Sequence, residues 1–521
     1  MAEQKFQVVV IGGGHNGLVA AAYLAKAGRS VLLVERRPVL GGVGVTEEFY
    51  PGFRVDSLLH DGGLFRPGII RDLFLKMHDF DFVAVEPLLA NLQPDGRCLM
   101  VWGDLAKTAE EIGRFSAGDG QKFGDYAATM NRFATFLEAA LGRVPPDLYH
   151  LGPADLISWL GVGGGFRGMG GKDMYGLLRL LPMSVYEWLT EWFEHEAVQA
   201  TLGLAGVMGL RQGPRSGGTA LNLLYHSLGS RPGLPAVGLV RGGLGNLSRA
   251  LAAAASQFGA TIRTNAEVSQ IKVVNGRAVG VVLLDGQEIE ADLVISTANP
   301  RHTFTQLVDP MALDPSFNRA VANIKFRGCL AKINLALDGL PAFTALAGRP
   351  IPGRIQIAPS LDAIEQAYDA AKYGQFSARP VLDMVIPSLH SAGFAPAGKH
   401  VLSILVQYAP YQLRGTTWEA QSQALTQNVL DTLSHYAPNI RQQIIHCQTL
   451  TPADLENSYG LAEGAIYHGE LMLDQMLFMR PVPGWGQYRT PIEGLYLGGA
   501  GSHPGGGITG EPGRLVAKTI M

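Results

Sequence analysis

The chain has 521 residues, 47% hydrophobic and 17% charged, with a formal net charge of −3. That length exceeds what one core supports and predicts at least two domains, and the near-neutral balance without a basic stripe excludes nucleic acid as an expected partner. Charged residues fall below the roughly 25% of ordinary soluble domains, which points to a large core, an apolar cavity or contact with a membrane surface.

The opening reads as strand, glycine turn, helix, strand. Residues 6–11 are apolar except for Gln7, as expected of a strand buried on both faces of a parallel sheet. Residues 17–27 form a small-residue helix stopped by Gly28, and 30–34 a second buried strand. From about 76 to 236 the pattern is mostly helical, notably over 186–205, with a loose glycine-rich loop predicted at 161–171. A β-meander follows at 267–274, 278–284 and 288–291, its turns marked by Asn275-Gly276 and Asp285-Gly286, and 293–297 reads as another strand. Residues 301–480 mix strands at 381–386 and 400–407 with a helix over 419–436. The tail gives a strand at 494–497, a glycine-rich turn and a helix from Glu511.

Gly12-x-Gly14-x-x-Gly17 follows the first strand and opens the first helix, the context a dinucleotide-binding fingerprint requires. Gly12 permits the tight turn, Gly14 admits a pyrophosphate to the backbone, and Gly17 lets helix and strand pack closely. His15 and Asn16 lie inside the same loop, at the helix N-terminus that offers N–H groups to phosphate. Glu35 ends the second strand, where a carboxylate accepts from ribose hydroxyls, and Arg36 beside it is placed to lie over an adenine. Two further features select FAD over NAD. Gly41-Gly42 provides another close backbone approach, and the tail turn carries Gly499, Ala500, Gly507 and Ile508 before the last helix. Such a turn aims N–H groups at an anion, here the N1–C2=O edge of a reduced flavin. Val268, opening the meander, completes the expected cofactor contacts. The cluster Gly242-Gly243-Leu244-Gly245 lacks a clean preceding strand and reads as a flavin-side contact, so no second dinucleotide fold is expected.

These residues predict an α/β chain. Its Rossmann-like FAD-binding domain, of the glutathione-reductase type, is assembled from 1–75, 237–300 and 485–521. A helical cap over 76–236 and an α+β region over 301–484 form a discontinuous substrate domain. Gly12–Gly17, Glu35-Arg36-Arg37, Gly41-Gly42 and the tail Gly499-Ala500-Gly501-Ser502-His503-Pro504-Gly505-Gly506-Gly507-Ile508 together resemble the phytoene desaturase superfamily of FAD enzymes. Leu473-Asp474-Gln475-Met476, Arg480-Pro481 and Gly510–Arg514, with Trp192-Phe193-Glu194 and His226, narrow the resemblance. The branch is that of the desaturase-type carotenoid ketolases and of pyridine nucleotide-disulfide oxidoreductase domain-containing protein 2. The resemblance covers essentially the whole chain. It implies non-covalent FAD, ketolase-like or desaturase-like action (dehydrogenation, isomerisation or oxygenation) on a carotenoid-like apolar polyene by hydride transfer between a substrate carbon and the flavin, re-oxidation by a quinone or oxygen, and substrates drawn from membranes. The Gly510–Arg514 segment departs from true phytoene desaturases, against four-step desaturation of phytoene.

Candidate catalytic residues are His503, in the tail cradle, and His226, on an apolar helix; His60-Asp61 is placed to approach the isoalloxazine or to order a loop. No His/Cys cluster has metal-ligand spacing, and Cys98, Cys329 and Cys447 form no CxxC pair, so neither a metal nor a dithiol centre is expected. No signal peptide or membrane span is read, which predicts a cytoplasmic protein with at most peripheral membrane contact. Two other readings stay open: an amine oxidase sharing the flavin cradle, and a flavin-binding regulatory protein with little turnover.

Overall fold

The computed structural model describes residues 5–148, 150–229, 234 and 236–521. The opening motif forms as its pattern dictates. Lys5–Ile11 pairs in parallel with Val31–Val34 on one side and with Glu288–Ser296 on the other. Thr261–Arg263 extends the sheet beyond Val31–Val34, and Leu495–Leu497 adds a parallel strand to Glu288–Ser296. Three stretches distant in sequence therefore make one sheet, with the meander Val268–Val274 and Arg277–Leu283 at its other edge.

The helix His15–Lys26 covers this sheet with an almost wholly buried surface, which its alanines allow. Glu511–Ile520 lies against it so closely that a Cβ on Gly513 would stand 2.1 Å from the Asn16 carbonyl. Gly17 is equally obligatory, since a Cβ there would stand 2.0 Å from the Gly12 carbonyl. The C-terminal helix thus locks the fingerprint loop in place through backbone contact.

A second seven-stranded sheet runs in the order Ile444–Leu450, Leu330–Leu337, His400–Gln407, Val381–Val385, Arg354–Ile357, Leu89–Leu92, Cys98–Val101. Its pairs are antiparallel except Arg354–Ile357 with Leu89–Leu92. The helices between 117 and 226 pack with one another and against this sheet into a common core that includes Phe123, Tyr126, Phe133, Trp188 and Phe193.

Three expectations need correction. The 161–171 loop is helical: Pro153–Gly168 and Gly170–Leu180 form a hairpin of helices on the long helix Ala117–Leu141. Pro153 at the first turn and the inward repeat Trp159, Val162, Phe166 outweigh the weak helix propensity of the glycines. The 288–291 and 293–297 strands are one nine-residue strand, Glu288–Ser296, antiparallel to the meander at its start and parallel to Lys5–Ile11 along its length. Finally, the region taken as helical from 76 contains the hairpin Leu89–Leu92/Cys98–Val101, which belongs to the second sheet.

Candidate active site

The carboxyl ends of Lys5–Ile11, Val31–Val34 and Glu288–Ser296 open on one cleft, the position where parallel α/β sheets receive nucleotides. The cleft encloses about 1270 Å³ of atom-free space, partly open to solvent. Gly12, Gly14, His15 and Asn16 line its floor, with Glu35 and Arg36 at one end. Gly41, Gly42, Val268, Ala500 and Gly507 also line it.

The local hydrogen bonds explain this shape. Glu35 accepts from the Gly13 N–H at 2.7 Å and from the Arg37 N–H at 2.9 Å, fastening the glycine loop to the second strand. The Gly41 N–H donates to the Gly13 carbonyl at 2.8 Å, so the second glycine pair folds onto the first. A Cβ on Gly14 would meet nothing within 4 Å, which leaves its face open to a ligand. FAD fits the remaining chemistry. The buried atoms His15 Nε2, Asn16 Oδ1 and His468 Nδ1 line or flank this cleft and have no partner within the protein. Burial holds the His15 ring down at about 4 and His468 at about 3, so both are neutral at physiological pH. His302, Asn299 and Tyr459 also line the cleft; none was anticipated from the sequence.

Beyond Gly507, a second cavity continues the first, the two sharing Leu59, Ile466 and Gly507. Its apolar walls are Leu64, Met208, Leu330, Leu405 and Ile508. One corner is polar. Arg354 is gripped by Asp383 and lies 3.2 Å from Asp61, all three within the cavity wall. Burial works against the Arg354 charge, yet Asp383 and Asp61 hold it above the ordinary arginine range, while burial raises the Asp61 carboxyl. On the opposite side Tyr467 Oη stands 3.0 Å from His226 Nε2 and 3.1 Å from the Met208 carbonyl. Burial brings His226 down to about 4.

The two catalytic candidates separate here. His226 lines the second cavity, as does His60-Asp61. His503 does not: its ring is fully buried with Nε2 3.0 Å from the Leu141 carbonyl, and its own carbonyl accepts from Tyr488 Oη. The tail turns Ala500 and Gly507 toward the cleft and this imidazole toward the end of Ala117–Leu141, so His503 orders the turn. Gly499 likewise packs on Thr297 instead of lining either cavity. Gly242–Gly245 caps the helix Leu244–Gln257 against Thr46 and Asp56, outside both cavities, which corrects its reading as a flavin contact. Arg354, Asp383 and Lys332 were missed, although a charge within the apolar strands Val381–Val385 and Leu330–Leu337 was a visible anomaly.

Comparison with known proteins bears on the fold and the cofactor. The model of the flavin containing amine oxidoreductases matches residues 110–510, and that of the NAD(P)-binding Rossmann-like domain matches 10–61. Pyridine nucleotide-disulfide oxidoreductase domain-containing protein 2 of Rattus norvegicus is 36% identical, across 99% of this chain and 93% of its own. One chain of the limonene dehydrogenase of Castellaniella defragrans is 28% identical over 100% of this chain and 95% of its own. The neurosporene-forming phytoene desaturase of Rhodobacter capsulatus is 26% identical over 99% and 94%. Among the described residues no group of side chains is placed to hold a metal ion, and no helix is long and apolar enough to cross a membrane.

Proposed function

The chain belongs to the flavin-containing amine oxidoreductase family, within its phytoene desaturase-like branch, and from that premise we propose that this FAD-dependent oxidoreductase dehydrogenates an apolar, isoprenoid-like hydrocarbon. The observation that carries the reading is the second cavity, walled by Leu64, Met208, Leu330, Leu405, Ile466 and Ile508 where it joins the cofactor cleft. Two relatives named for acting on isoprenoid hydrocarbons support the substrate class. When bound, FAD supplies the acceptor for a hydride from a substrate carbon.

The residues of the chain supply the rest. The leucine and isoleucine walls hold the hydrocarbon by excluding water, worth about 25 cal/mol per Å² buried. Forming a double bond also releases a proton from the adjacent carbon, and neutral His226, held by Tyr467, is the cavity's candidate to receive it. Re-oxidation would fall to a quinone or dioxygen. Asp61 and Asp383 favour a second reading. They outnumber the cation Arg354 in the cavity wall, and a surplus carboxylate suits a substrate ammonium, as in an amine oxidase.

Anaerobic bleaching of the visible flavin band separates the two. Holoprotein titrated with polyenes and cyclic terpenes in detergent should lose its oxidised absorbance, and amines should leave it intact. Bleaching by amines alone would replace the hydrocarbon reading with the second one. Silence from both panels with FAD bound would favour a regulatory flavoprotein.

A further inference from the structure

Exposed large apolar side chains are scattered singly over most of this protein, as on any soluble surface. Among the described residues they gather most densely in one region. Leu156, Ile157 and Leu160 on the helix Pro153–Gly168 are 57%, 70% and 69% exposed, and Tyr175 and Leu178 on the following helix Gly170–Leu180 are 77% and 51% exposed. Leu148 and Leu151 lead into the same hairpin and are more than half exposed as well.

The first helix is apolar on both sides. Its inner face is already covered: Val162 is buried, Phe166 packs on Phe136 at 5.4 Å between ring centroids, and Trp159 Nε1 donates to the Val144 carbonyl at 3.0 Å. A surface helix normally turns a polar face to water, and one apolar all round is normally covered all round. Leu156, Ile157 and Leu160 have no such cover among the described residues. Clustered exposure of this kind marks an interaction surface.

The charges identify the partner. Between residues 156 and 172 the only charged side chains are Arg167 and Lys172, both exposed. The acids in and beside the hairpin are engaged locally. Asp155 accepts from the Gly152 N–H, Asp173 is paired with Arg132, and Asp147 with the His150 ring. The surface therefore combines apolar side chains with a net positive charge, Arg167 and Lys172 against the single carboxylate of Asp155, which complements an anionic lipid interface. A second copy of the same face would set two such net positive surfaces against each other. At 16 residues the helix is about 24 Å long, too short for the roughly 30 Å hydrocarbon core. It is suited to lie along the interface.

We propose that the helical hairpin 153–180 docks this enzyme on anionic membranes, with Leu156, Ile157 and Leu160 entering the acyl boundary and Arg167 and Lys172 meeting lipid phosphates. The docking is independent of which substrate the cavity accepts.

The test is sedimentation of the FAD-loaded protein with vesicles of phosphatidylcholine, or of an equal mixture of phosphatidylcholine and phosphatidylglycerol. The protein should sediment with the mixed vesicles, less so at high salt. The triple change Leu156→Ser, Ile157→Ser, Leu160→Ser should weaken partition by about tenfold or more. Arg167→Glu with Lys172→Glu should abolish the preference for phosphatidylglycerol. Met311→Ser, at an equally exposed but isolated methionine, should change nothing. Failure to sediment with either vesicle would overturn the proposal. So would a concentration-dependent dimer, seen by light scattering, that the triple serine change dissolves while vesicle binding is absent.

Discussion

Lys332 Nζ stands 3.2 Å from His60 Nδ1 and donates to the Leu58 carbonyl at 2.6 Å, bolting the second sheet to the segment that enters the cavity. His60 Nε2 faces the Asp383 carbonyl at 3.0 Å, and a carbonyl only accepts, so the ring proton is on Nε2. Burial, with Lys332 and Arg354 nearby, keeps the ring neutral, so Nδ1 is left to accept from Lys332. Both nitrogens are committed. His60 shapes the cavity wall and has no nitrogen left for proton transfer.

Replacing Lys332 by Met therefore leaves two buried acceptors unpaired, and should lower stability by about 2–4 kcal/mol. The pH dependence identifies the cause. Burial pulls the Lys332 ammonium down to about 7, against the raising pull of Asp56 and Asp383, from an ordinary 10.5. Between those values the unfolded chain binds the proton and the folded one does not, so the wild-type melting temperature should rise with pH across that window. The Met variant should lack this increment. Identical pH profiles for the two proteins would exclude the linkage.

Glu35 holds the fingerprint loop through two N–H groups and also lines the cleft. Glu35→Ala removes a charged acceptor worth about 1.5–3 kcal/mol per bond. FAD should bind about tenfold to a hundredfold more weakly, read from quenching of free-flavin fluorescence on reconstitution. Glu35→Gln retains one acceptor oxygen and should fall between. An unchanged affinity in the Ala variant would remove Glu35 from the cofactor site.

Arg354 is the cation that Asp61 and Asp383 share in the buried wall. Arg354→Met leaves two buried carboxylates without their cation, and breaking such a pair typically costs about 3–5 kcal/mol. Chemical denaturation at saturating FAD should show that loss. Arg354→Lys should recover only part of it, because an ammonium cannot fork to both acids. A Met variant as stable as the wild type would mean that the acids take up protons at no cost.

The cofactor cleft was legible because its signals are local. Three glycines, a terminal acid and a small-residue helix lie within about thirty positions, in the strand–turn–helix order that a dinucleotide site requires. The second cavity was not, because Asp61 and Tyr467 from loops, His226 from a helix, and Arg354 and Asp383 from paired strands are brought together only by tertiary packing. His503 shows the opposite error. Its place inside a glycine-rich turn suggested the flavin, yet chain proximity does not determine where a ring points, and this one points to Leu141. The 161–171 segment was misread because glycine propensity is a weak prior, overruled by tertiary packing of Trp159, Val162 and Phe166.

The pair His226–Tyr467 offers the sharpest test of chemistry. At a pKa of about 4 the imidazole is neutral under working conditions, and Tyr467 Oη can donate its single proton either to Nε2 or to the Met208 carbonyl. If His226 receives the substrate proton, His226→Phe should slow anaerobic flavin reduction by about a hundredfold or more. Its FAD spectrum should be unaltered, since the ring is absent from the cofactor cleft. Tyr467→Phe keeps the wall and removes the hydroxyl that holds the imidazole, so about a tenfold slowing is expected. The two changes should be non-additive because they act on one hydrogen bond. Stopped-flow reduction of the two single variants and the double variant by the same substrate measures this. Additive effects, or a His226→Phe protein reduced at the wild-type rate, would assign the proton to another group and leave the histidine as part of the wall.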